Sequence, residues 1–277
     1  MSRGSGRALY RIASGDAPLF ALGAMLVAFL ALPFLGLVTT TSWNDFVAGL
    51  AHPIVWPALR LSIFTTSASL LVVVVFGTPL AWLLARRRGR LARLLETAIQ
   101  LPVVIPPAVA GVALLLAFGR RGLVAGLLYP EGFSVAFTTA AVIMAEVFVS
   151  AAFFVQAATS AFRRIDENLL LVGRSFGASP LRLFSRIGLP LAAPGLIAGA
   201  AMSWARALGE FGATLMFAGN LAERTQTLPL AVYTALESDL RAAQALSLVL
   251  VAVAFGLLVG VRAAIASATP MSAEART

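Results

Sequence analysis

The sequence contains no cysteine and no lysine, and its one histidine is His52. Without cysteine, the chain has no thiol redox chemistry and no cysteine-based metal site, and a lone histidine cannot form a histidine cluster. A nucleotide-binding P-loop needs a lysine that reaches the β- and γ-phosphates, so this chain cannot contain that motif. Any use of ATP would require another subunit. We therefore predict no cofactor, no metal site and no catalytic residue.

Charged residues are also scarce. They make up 12% of the 277 residues, and 60% are hydrophobic, whereas a soluble domain carries about a quarter charged residues. A membrane helix needs about 20 apolar residues to cross a hydrocarbon core of about 30 Å. We therefore predict an all-α polytopic membrane protein. Its six transmembrane helices are expected near residues 18–41, 60–85, 97–118, 135–159, 192–217 and 242–262.

The first apolar segment could be either a membrane helix or a cleaved signal peptide. It follows Arg3, Arg7 and Arg11, as the core of a cleaved signal peptide would. Such a core is about 7–15 residues long and ends at a small-residue cleavage site. This segment is longer and continues towards Trp43. We therefore favour an anchored helix.

The arginines predict the orientation of the chain in the membrane, because cytoplasmic loops carry the excess of positive charge. All 21 basic residues are arginines; with the N-terminus inside, fifteen fall on the cytoplasmic side and four on the other, while Arg60 and Arg206 fall in predicted spans. We predict a cytoplasmic N-terminus (residues 1–17), a transmembrane domain (18–266) and a cytoplasmic tail (267–277). The net charge of +9 reflects this orientation, so no nucleic-acid partner is expected.

One long cytoplasmic connection, residues 160–190, is predicted to form two short helices joined by a hinge. Asp166 favours the start of the first helix, and Gly177 can end it in a left-handed turn. Ser179 followed by Pro180 is typical of an N-cap and a first-turn proline. The second helix is expected to end near Gly188.

The second loop helix is predicted to be amphipathic. Its apolar residues recur at helical spacing: Pro180, Leu183, Phe184 and Ile187. Arg182, Ser185 and Arg186 lie on another face. The periodicity alone leaves two interpretations open, a helix resting on lipid headgroups and a projection that docks into a groove of a partner protein.

Three ionisable residues fall inside predicted membrane helices: Glu146, Arg206 and Glu210. A charge at mid-bilayer costs about 2.5–3.5 kcal/mol on insertion scales, so such side chains usually face protein or water. Arg206 and Glu210 are one helical turn apart and can pair. The pair is either a packing element or a polar lining of a translocation path. Glu146 is expected to hydrogen-bond a neighbouring helix or to meet an arginine.

Prolines and glycines predict two irregular places in the membrane. Pro106 and Pro107 should kink the third span near mid-membrane. Gly209 and Gly212 indicate a local break or close approach near the outer end of the fifth span. Aromatic and methionine side chains next to that break could narrow a pore or simply pack: Phe211, Met216 and Phe217.

Several segments resemble permease subunits of ABC importers. One segment is similar to the cytoplasmic signature that docks into the ATPase subunit: Gly177, then nine residues, then Ile187-Gly188-Leu189-Pro190. The usual Glu-Ala-Ala at the start of that signature is replaced here by Leu171-Val172-Gly173. Two segments resemble both molybdate and sulfate permeases: Leu101-Pro102-Val103-Val104-Ile105-Pro106-Pro107-Ala108-Val109-Ala110-Gly111 and Ala205-Arg206-Ala207-Leu208-Gly209-Glu210-Phe211-Gly212-Ala213-Thr214. A third segment resembles molybdate permeases more than sulfate permeases: Thr225-Gln226-Thr227-Leu228-Pro229-Leu230-Ala231-Val232-Tyr233-Thr234-Ala235-Leu236-Glu237.

The resemblance implies the fold of a type I ABC importer permease in the inner membrane of a prokaryote. It implies a second copy of the chain, two copies of a cytoplasmic ABC ATPase, and a periplasmic or lipid-anchored oxyanion-binding protein. The implied cargo is molybdate or tungstate, moved by alternating access, with sulfate as an alternative. A proton-coupled secondary transporter using Glu146 and Glu210 as carriers is the alternative of a different class.

The resemblance and the residue patterns above together give candidate site residues. The expected ATPase-coupling residues are Gly177, Ser179, Pro180, Leu183, Phe184, Ile187, Leu189 and Pro190. The expected residues of the translocation path or gate are Arg206, Glu210, Phe211, Gly212 and Thr214.

Overall fold

Helices form the whole regular structure of the described part of the chain. The computed structural model describes residues 17–87, 89–125 and 134–268, and no strand occurs in these segments. The predicted all-α class is therefore confirmed. Nearly all of the predicted N-terminal segment and tail, residues 1–17 and 267–277, lies outside the described residues.

The helices are numbered here in chain order. Those before residue 126 are α1 (Ala17–Thr40), α2 (Trp43–Leu50), α3 (Val55–Arg86), α4 (Arg90–Val104) and α5 (Pro107–Phe118). Those after it are α6 (Thr139–Arg163), α7 (Glu167–Ser175), α8 (Pro180–Leu183), a π-helical turn (Phe184–Gly188), α9 (Leu189–Leu208), α10 (Gly212–Ala218), α11 (Leu228–Ser238) and α12 (Leu240–Ala268).

Five helices within the described residues are long and apolar enough to cross a membrane, and a sixth span is added if the bent pair α4–α5 counts as one. Helices α1, α3, α6 and α12 correspond to predicted spans. The large apolar side chains of α1 are exposed, as expected for a helix that faces lipid. The multi-pass membrane architecture is confirmed.

The predicted third span is bent by 114° between α4 and α5, far more than a kink. Ile105 and Pro106 adopt extended ψ angles of 142° and 137°. A proline disfavours the helical conformation of the residue before it, and it has no N–H to donate. Two successive prolines therefore end α4 and start α5 in a new direction.

The predicted fifth span, 192–217, begins and ends too late. Helix α9 ends at Leu208, and the predicted break separates it from the short α10. At the other end, the loop helix does not stop near Gly188, because α8, the π-helical turn and α9 follow one another without a gap. The π-helical turn lies just before Pro190, whose nitrogen carries no hydrogen and cannot donate a hydrogen bond to the preceding turn.

Helix α6 lies at the centre of the bundle, between α3 and α9. Small residues set these contacts. A Cβ added at Gly199 would lie 2.9 Å from Ala157 Cβ, and one at Gly77 would lie 2.8 Å from the Phe154 ring. In lipid, close backbone approach through small residues replaces the hydrophobic effect as the source of helix packing.

Helix α2 was not predicted. Ser42 caps its N-terminus by accepting a hydrogen bond from Asp45 N at 3.1 Å. Asp45 also pairs with Arg241 at 3.1 Å, which joins α2 to α12. Gly49 allows the close approach, since a Cβ there would lie 2.6 Å from Ala245 Cβ.

Candidate functional site

A seam of buried polar side chains runs between α3, α6 and α9. Glu146 of α6 is fully buried and accepts a hydrogen bond from Thr65 Oγ1 of α3 at 2.8 Å. Its second carboxyl oxygen, Oε2, has no hydrogen-bond partner among the described residues. The expectation that Glu146 bonds a neighbouring helix is confirmed.

The same seam continues onto α9. Trp204 donates from Nε1 to Thr66 Oγ1 at 2.9 Å, and Ser203 donates from Oγ to the Ser150 carbonyl at 3.1 Å. These bonds cross between three different helices. They fix how α9 sits against α3 and α6, because each lost bond would leave a buried polar group without water.

Arg206 and Glu210 lie at the end of α9 and in the break that follows it. Arg206 Nη2 is 2.6 Å from Glu210 Oε2, so the two side chains pair. Their surroundings differ, because the Arg206 side chain is 27% exposed and that of Glu210 only 1%. The carboxylate is held inside the chain, while the guanidinium reaches its surface.

Glu210 has a second partner, which sequence reasoning missed. Its Oε1 accepts a hydrogen bond from Ala213 N at 2.7 Å. Ala213 is in the first turn of α10, where backbone N–H groups have no partner within the helix. One carboxylate therefore binds the guanidinium of Arg206 and caps α10.

Helix α10 packs against α5 through glycines. A Cβ on Gly212 would lie 2.9 Å from Pro107 Cβ, and a Cβ on Gly111 would lie 2.6 Å from Met216 Cβ. Thr214 of α10 is also buried, and its hydroxyl has no hydrogen-bond partner among the described residues. The two broken spans therefore meet at their irregular points.

The aromatic side chains near the break have different surroundings. Phe211 is half-buried and packs against Tyr233, with ring centroids 5.5 Å apart. Phe217 is fully buried in a cluster with α5 and α6. Phe217 therefore packs within the chain and does not line an open path, whereas Met216 is exposed.

An ordered polar turn between α10 and α11 was not identified from the sequence. Gln226 donates from Nε2 to Asn220 Oδ1 at 2.9 Å, and Asn220 donates from Nδ2 to Thr234 Oγ1 at 2.9 Å. Leu228 N donates to Ser62 Oγ of α3 at 2.7 Å. The only sequence signal here was the family resemblance of this segment, which does not predict its long-range contacts.

The loop between α6 and α9 has the predicted local geometry. Asp166 caps α7 by accepting from Asn168 N at 2.9 Å, and Gly177 has a φ of 75°. Ser179 Oγ accepts from Arg182 N at 3.3 Å at the start of α8. The chain therefore reverses between α7 and α8 as the sequence indicated.

The apolar face of the loop helix does not project outward, which corrects the expectation of a free docking face. Leu183 is only 2% exposed, and Phe184 packs against Trp82 with ring centroids 5.5 Å apart. Ile187 is half-buried in the same cluster. These side chains pack against the end of the bundle formed by α3 and α6.

Other residues form the exposed tip of the loop. Phe176 is 86% exposed and Leu181 is 72% exposed. Gly177, Ser179 and Pro180 are also exposed at this tip.

The remaining predicted coupling residues lie beyond the tip. Leu189 is half-buried and Pro190 is exposed at the start of α9. Gly173 supports the fold of the loop, because a Cβ there would lie 2.6 Å from Leu183 Cδ2.

Comparison with solved structures identifies the fold. A chain of a bacterial alginate ABC transporter matches with a TM-score of 0.71 and 19% identity, covering 96% of this chain and 97% of that one. A chain of the MetNI methionine ABC transporter matches with a TM-score of 0.63 and 19% identity, covering 78% and 96%. The predicted type I ABC importer permease fold is confirmed.

Sequence comparison identifies nearer relatives. The molybdenum transport system permease protein ModB of Mycobacterium tuberculosis is 43% identical over 250 residues, 90% of this chain and 93% of that protein. The molybdate/tungstate transport system permease protein WtpB of Pyrococcus abyssi is 34% identical, covering 87% and 92%. ModB of Escherichia coli is 36% identical, covering 73% and 89%.

The family comparison agrees with the geometry described above. Residues 77–267 match the family described as the binding-protein-dependent transport system inner membrane component. This match includes α6, the loop, both broken spans and the seam residues of α6 and α9, whereas Thr65 and Thr66 of α3 precede it. The chain belongs to this family of inner-membrane transport components, and it is a non-enzymatic, multi-pass subunit of an ABC importer.

Proposed function

We propose that this chain is the permease subunit of an ATP-driven importer that carries molybdate or tungstate into the cytoplasm. The observation that carries the proposal is the identity to a molybdenum permease over nine tenths of both chains. A relative named for both anions supports including tungstate. The two anions have the same charge and shape, so we assign selection between them to the binding protein.

The proposed assembly contains two copies of this chain, two copies of a cytoplasmic ABC ATPase, and one periplasmic or lipid-anchored oxyanion-binding protein. Both termini and the loop between α6 and α9 face the cytoplasm. The binding protein delivers the anion to the outer face, and the ATPases drive alternating access. This chain contributes the path and no catalytic residue.

The coupling contact is proposed to be the exposed tip of the loop. Phe176 and Leu181 supply its apolar contact with the ATPase, while Gly177 and Ser179 set the turn that presents them. Leu183, Phe184 and Ile187 do not contact the ATPase in this proposal. They pack inside the chain and join the loop to α3 and α6. Movement of the tip is therefore transmitted to the bundle through packed side chains.

The path is proposed to pass Arg206. An anion entering a low-dielectric path needs a compensating charge, and the guanidinium of Arg206 is partly exposed while its carboxylate partner is buried. Glu210, which lies in the break after α9, positions this arginine, and Phe211, Gly212 and Thr214 follow it in the proposed gate. Binding here must stay weak, since a site that holds the anion tightly does not release it.

The proton-coupled alternative would need carboxyl groups free to exchange protons with water. Glu210 is engaged by Arg206 and by Ala213 N, and Glu146 is buried with a bond to Thr65. These contacts favour structural roles for both carboxyl groups, and therefore favour an ATP-driven importer.

The test of cargo is uptake of radiolabelled molybdate by cells that lack their own molybdate permease and express this chain with its ATPase and binding protein. Excess tungstate is expected to abolish the uptake, while sulfate and phosphate leave most of it. Uptake that sulfate suppresses as strongly as tungstate would identify a sulfate permease instead.

A further inference from the structure

A polar cavity lies between α4 and α6, apart from Arg206 and from the polar seam. Its volume is about 140 Å³, well above the about 10–15 Å³ that one water molecule requires. Apolar side chains form part of its wall, and the polar lining residues are Glu96, Gln100, Gln156, Thr159, Ser160 and Arg163.

Thr159 lies in the wall of this cavity with an unused hydroxyl. Two threonines of α3 donate to the carbonyl four residues earlier, Thr66 to Ser62 and Thr78 to Val74, each at 2.6 Å. Thr159 is only 4% exposed, and its Oγ1 has no hydrogen-bond partner among the described residues. A ligand in the cavity could supply that partner.

The charged residues of the cavity neutralise each other. Arg163, the last residue of α6, donates from Nη2 to Glu96 Oε1 of α4. Both side chains are partly exposed to solvent, Arg163 more than Glu96. An exposed ion pair of this kind contributes little stability, typically about 0–1 kcal/mol. The guanidinium can therefore exchange its carboxylate partner for another anion at low cost.

We propose that this cavity is a second, weak binding site for a tetrahedral oxyanion at the arginine-rich end of the bundle. The anion would accept hydrogen bonds from Arg163, Thr159 and Ser160 and from the amides of Gln100 and Gln156. Its arrival displaces Glu96 from Arg163, and its departure restores the ion pair. Glu96 thereby keeps the affinity low, because it competes for the same guanidinium.

The inference rests on the proposed function for the choice of anion, and two sources of the anion share this chemistry. Cargo leaving the path would occupy the site in transit. Cytoplasmic anion returning to the site would instead slow further import. The arginine-rich end is the proposed cytoplasmic side, so both sources reach the same cavity.

The test is binding of radiolabelled molybdate to the full-length chain in lipid nanodiscs, measured by equilibrium dialysis. We expect Thr159→Val and Arg163→Gln each to weaken binding about tenfold, as loss of one hydrogen bond to a charged group does. We expect Glu96→Gln to tighten it, because the competing charge is gone. Thr97→Val is the control, since that exposed hydroxyl bonds the Arg93 carbonyl at 3.0 Å.

The opposite signs separate a binding site from a structural ion pair. A structural pair predicts that Glu96→Gln and Arg163→Gln have the same effect, and that outcome would overturn the site. Unchanged binding in all three variants would also overturn it, even if the importer carries molybdate normally. If wild-type cells take up no molybdate, the proposed function fails, and dialysis with sulfate and phosphate still decides whether the cavity binds an oxyanion.

The source of the anion is resolved by the complete transporter in proteoliposomes. If the site serves cargo in transit, Arg163→Gln lowers initial uptake into vesicles that contain no molybdate. If it serves returning anion, the variant keeps that initial rate and loses inhibition by molybdate inside the vesicle. A variant that changes neither rate nor inhibition would contradict both uses of the site.

Discussion

At the scale of single residues, Glu210 has two partners, and this limits how Arg206 can be tested. Exchanging the two charges would remove the carboxylate that caps α10 at Ala213. A loss of transport in such a variant would not show whether the translocation path or the folding of the chain had been disturbed. Replacing both residues by glutamine removes both charges and keeps a carbonyl oxygen at position 210 for Ala213 N.

We expect the double variant Arg206→Gln, Glu210→Gln to insert and purify like the wild type but to take up molybdate about tenfold more slowly. The loss corresponds to one interaction with a charged group, worth about 1.5–3 kcal/mol. The measurement is initial uptake per permease molecule, with thermal unfolding as the control for folding. Normal uptake by this variant would assign the pair to packing alone.

Glu210→Ala tests the cap directly. This change leaves Ala213 N without its partner in a buried environment, which costs about 1–3 kcal/mol. We expect a lower unfolding temperature in detergent than for Glu210→Gln, which retains an acceptor. Equal unfolding temperatures for the two variants would show that water replaces the cap.

Sequence reasoning anticipated residues whose partners are close in the chain. The pairing of Arg206 with Glu210 follows from their helical spacing, and the left-handed Gly177 follows from its place after a helix. The partner of Glu146 could not be named, because Thr65 is 81 residues away. Only the packing of α3 on α6 brings these two side chains together.

At the scale of the elements, the contact between the two broken spans depends on glycine. Gly111→Ala would place a Cβ 2.7 Å from the Ala213 carbonyl oxygen, so α5 and α10 must separate. We expect a loss of about 1–3 kcal/mol of stability, as for other overpacked cores. The measurement is thermal unfolding of the purified chain.

Gly36→Ala is the matched control for this change. Gly36 also lies in a membrane helix, but nothing is within 4 Å of its added Cβ. Unfolding temperatures that fall equally in both variants would mean that the α5–α10 contact is not tight.

The loop between α6 and α9 provides a second matched pair, Phe184→Ala and Phe176→Ala. Phe184 packs on Trp82, so its truncation should destabilise the chain, by less than the about 3–5 kcal/mol of a fully buried phenylalanine. Phe176 is exposed, so its truncation should leave stability unchanged and weaken copurification with the ATPase. Unchanged ATPase association in Phe176→Ala would contradict the proposed docking tip.

Helix boundaries show where the sequence was insufficient at this scale. Hydropathy identified each membrane segment, and Pro106, Pro107, Gly209 and Gly212 marked the irregular places. The angle of 114° and the early end of α9 were not predictable. A proline breaks the helical hydrogen bonding, but it does not determine the direction in which the chain continues. That direction depends on which helices pack around the break.

At the scale of the whole molecule, the arginine distribution predicts which side faces the cytoplasm. We expect single cysteines at Ala48 and Ala222 to react with an impermeant thiol reagent added to intact cells, and one at Ser175 to remain unlabelled. All three positions are exposed, and the natural sequence has no cysteine. Labelling of the Ser175 position from outside would reverse the topology.

The central claim is that this chain forms the path of an ATP-driven oxyanion importer. Its most direct test is molybdate uptake by proteoliposomes containing this chain and its ATPase, with the binding protein added outside. The account predicts uptake that requires ATP inside the vesicles and the binding protein, and that persists when an ionophore collapses the proton gradient. Uptake that continues without ATP and stops with the ionophore would contradict it.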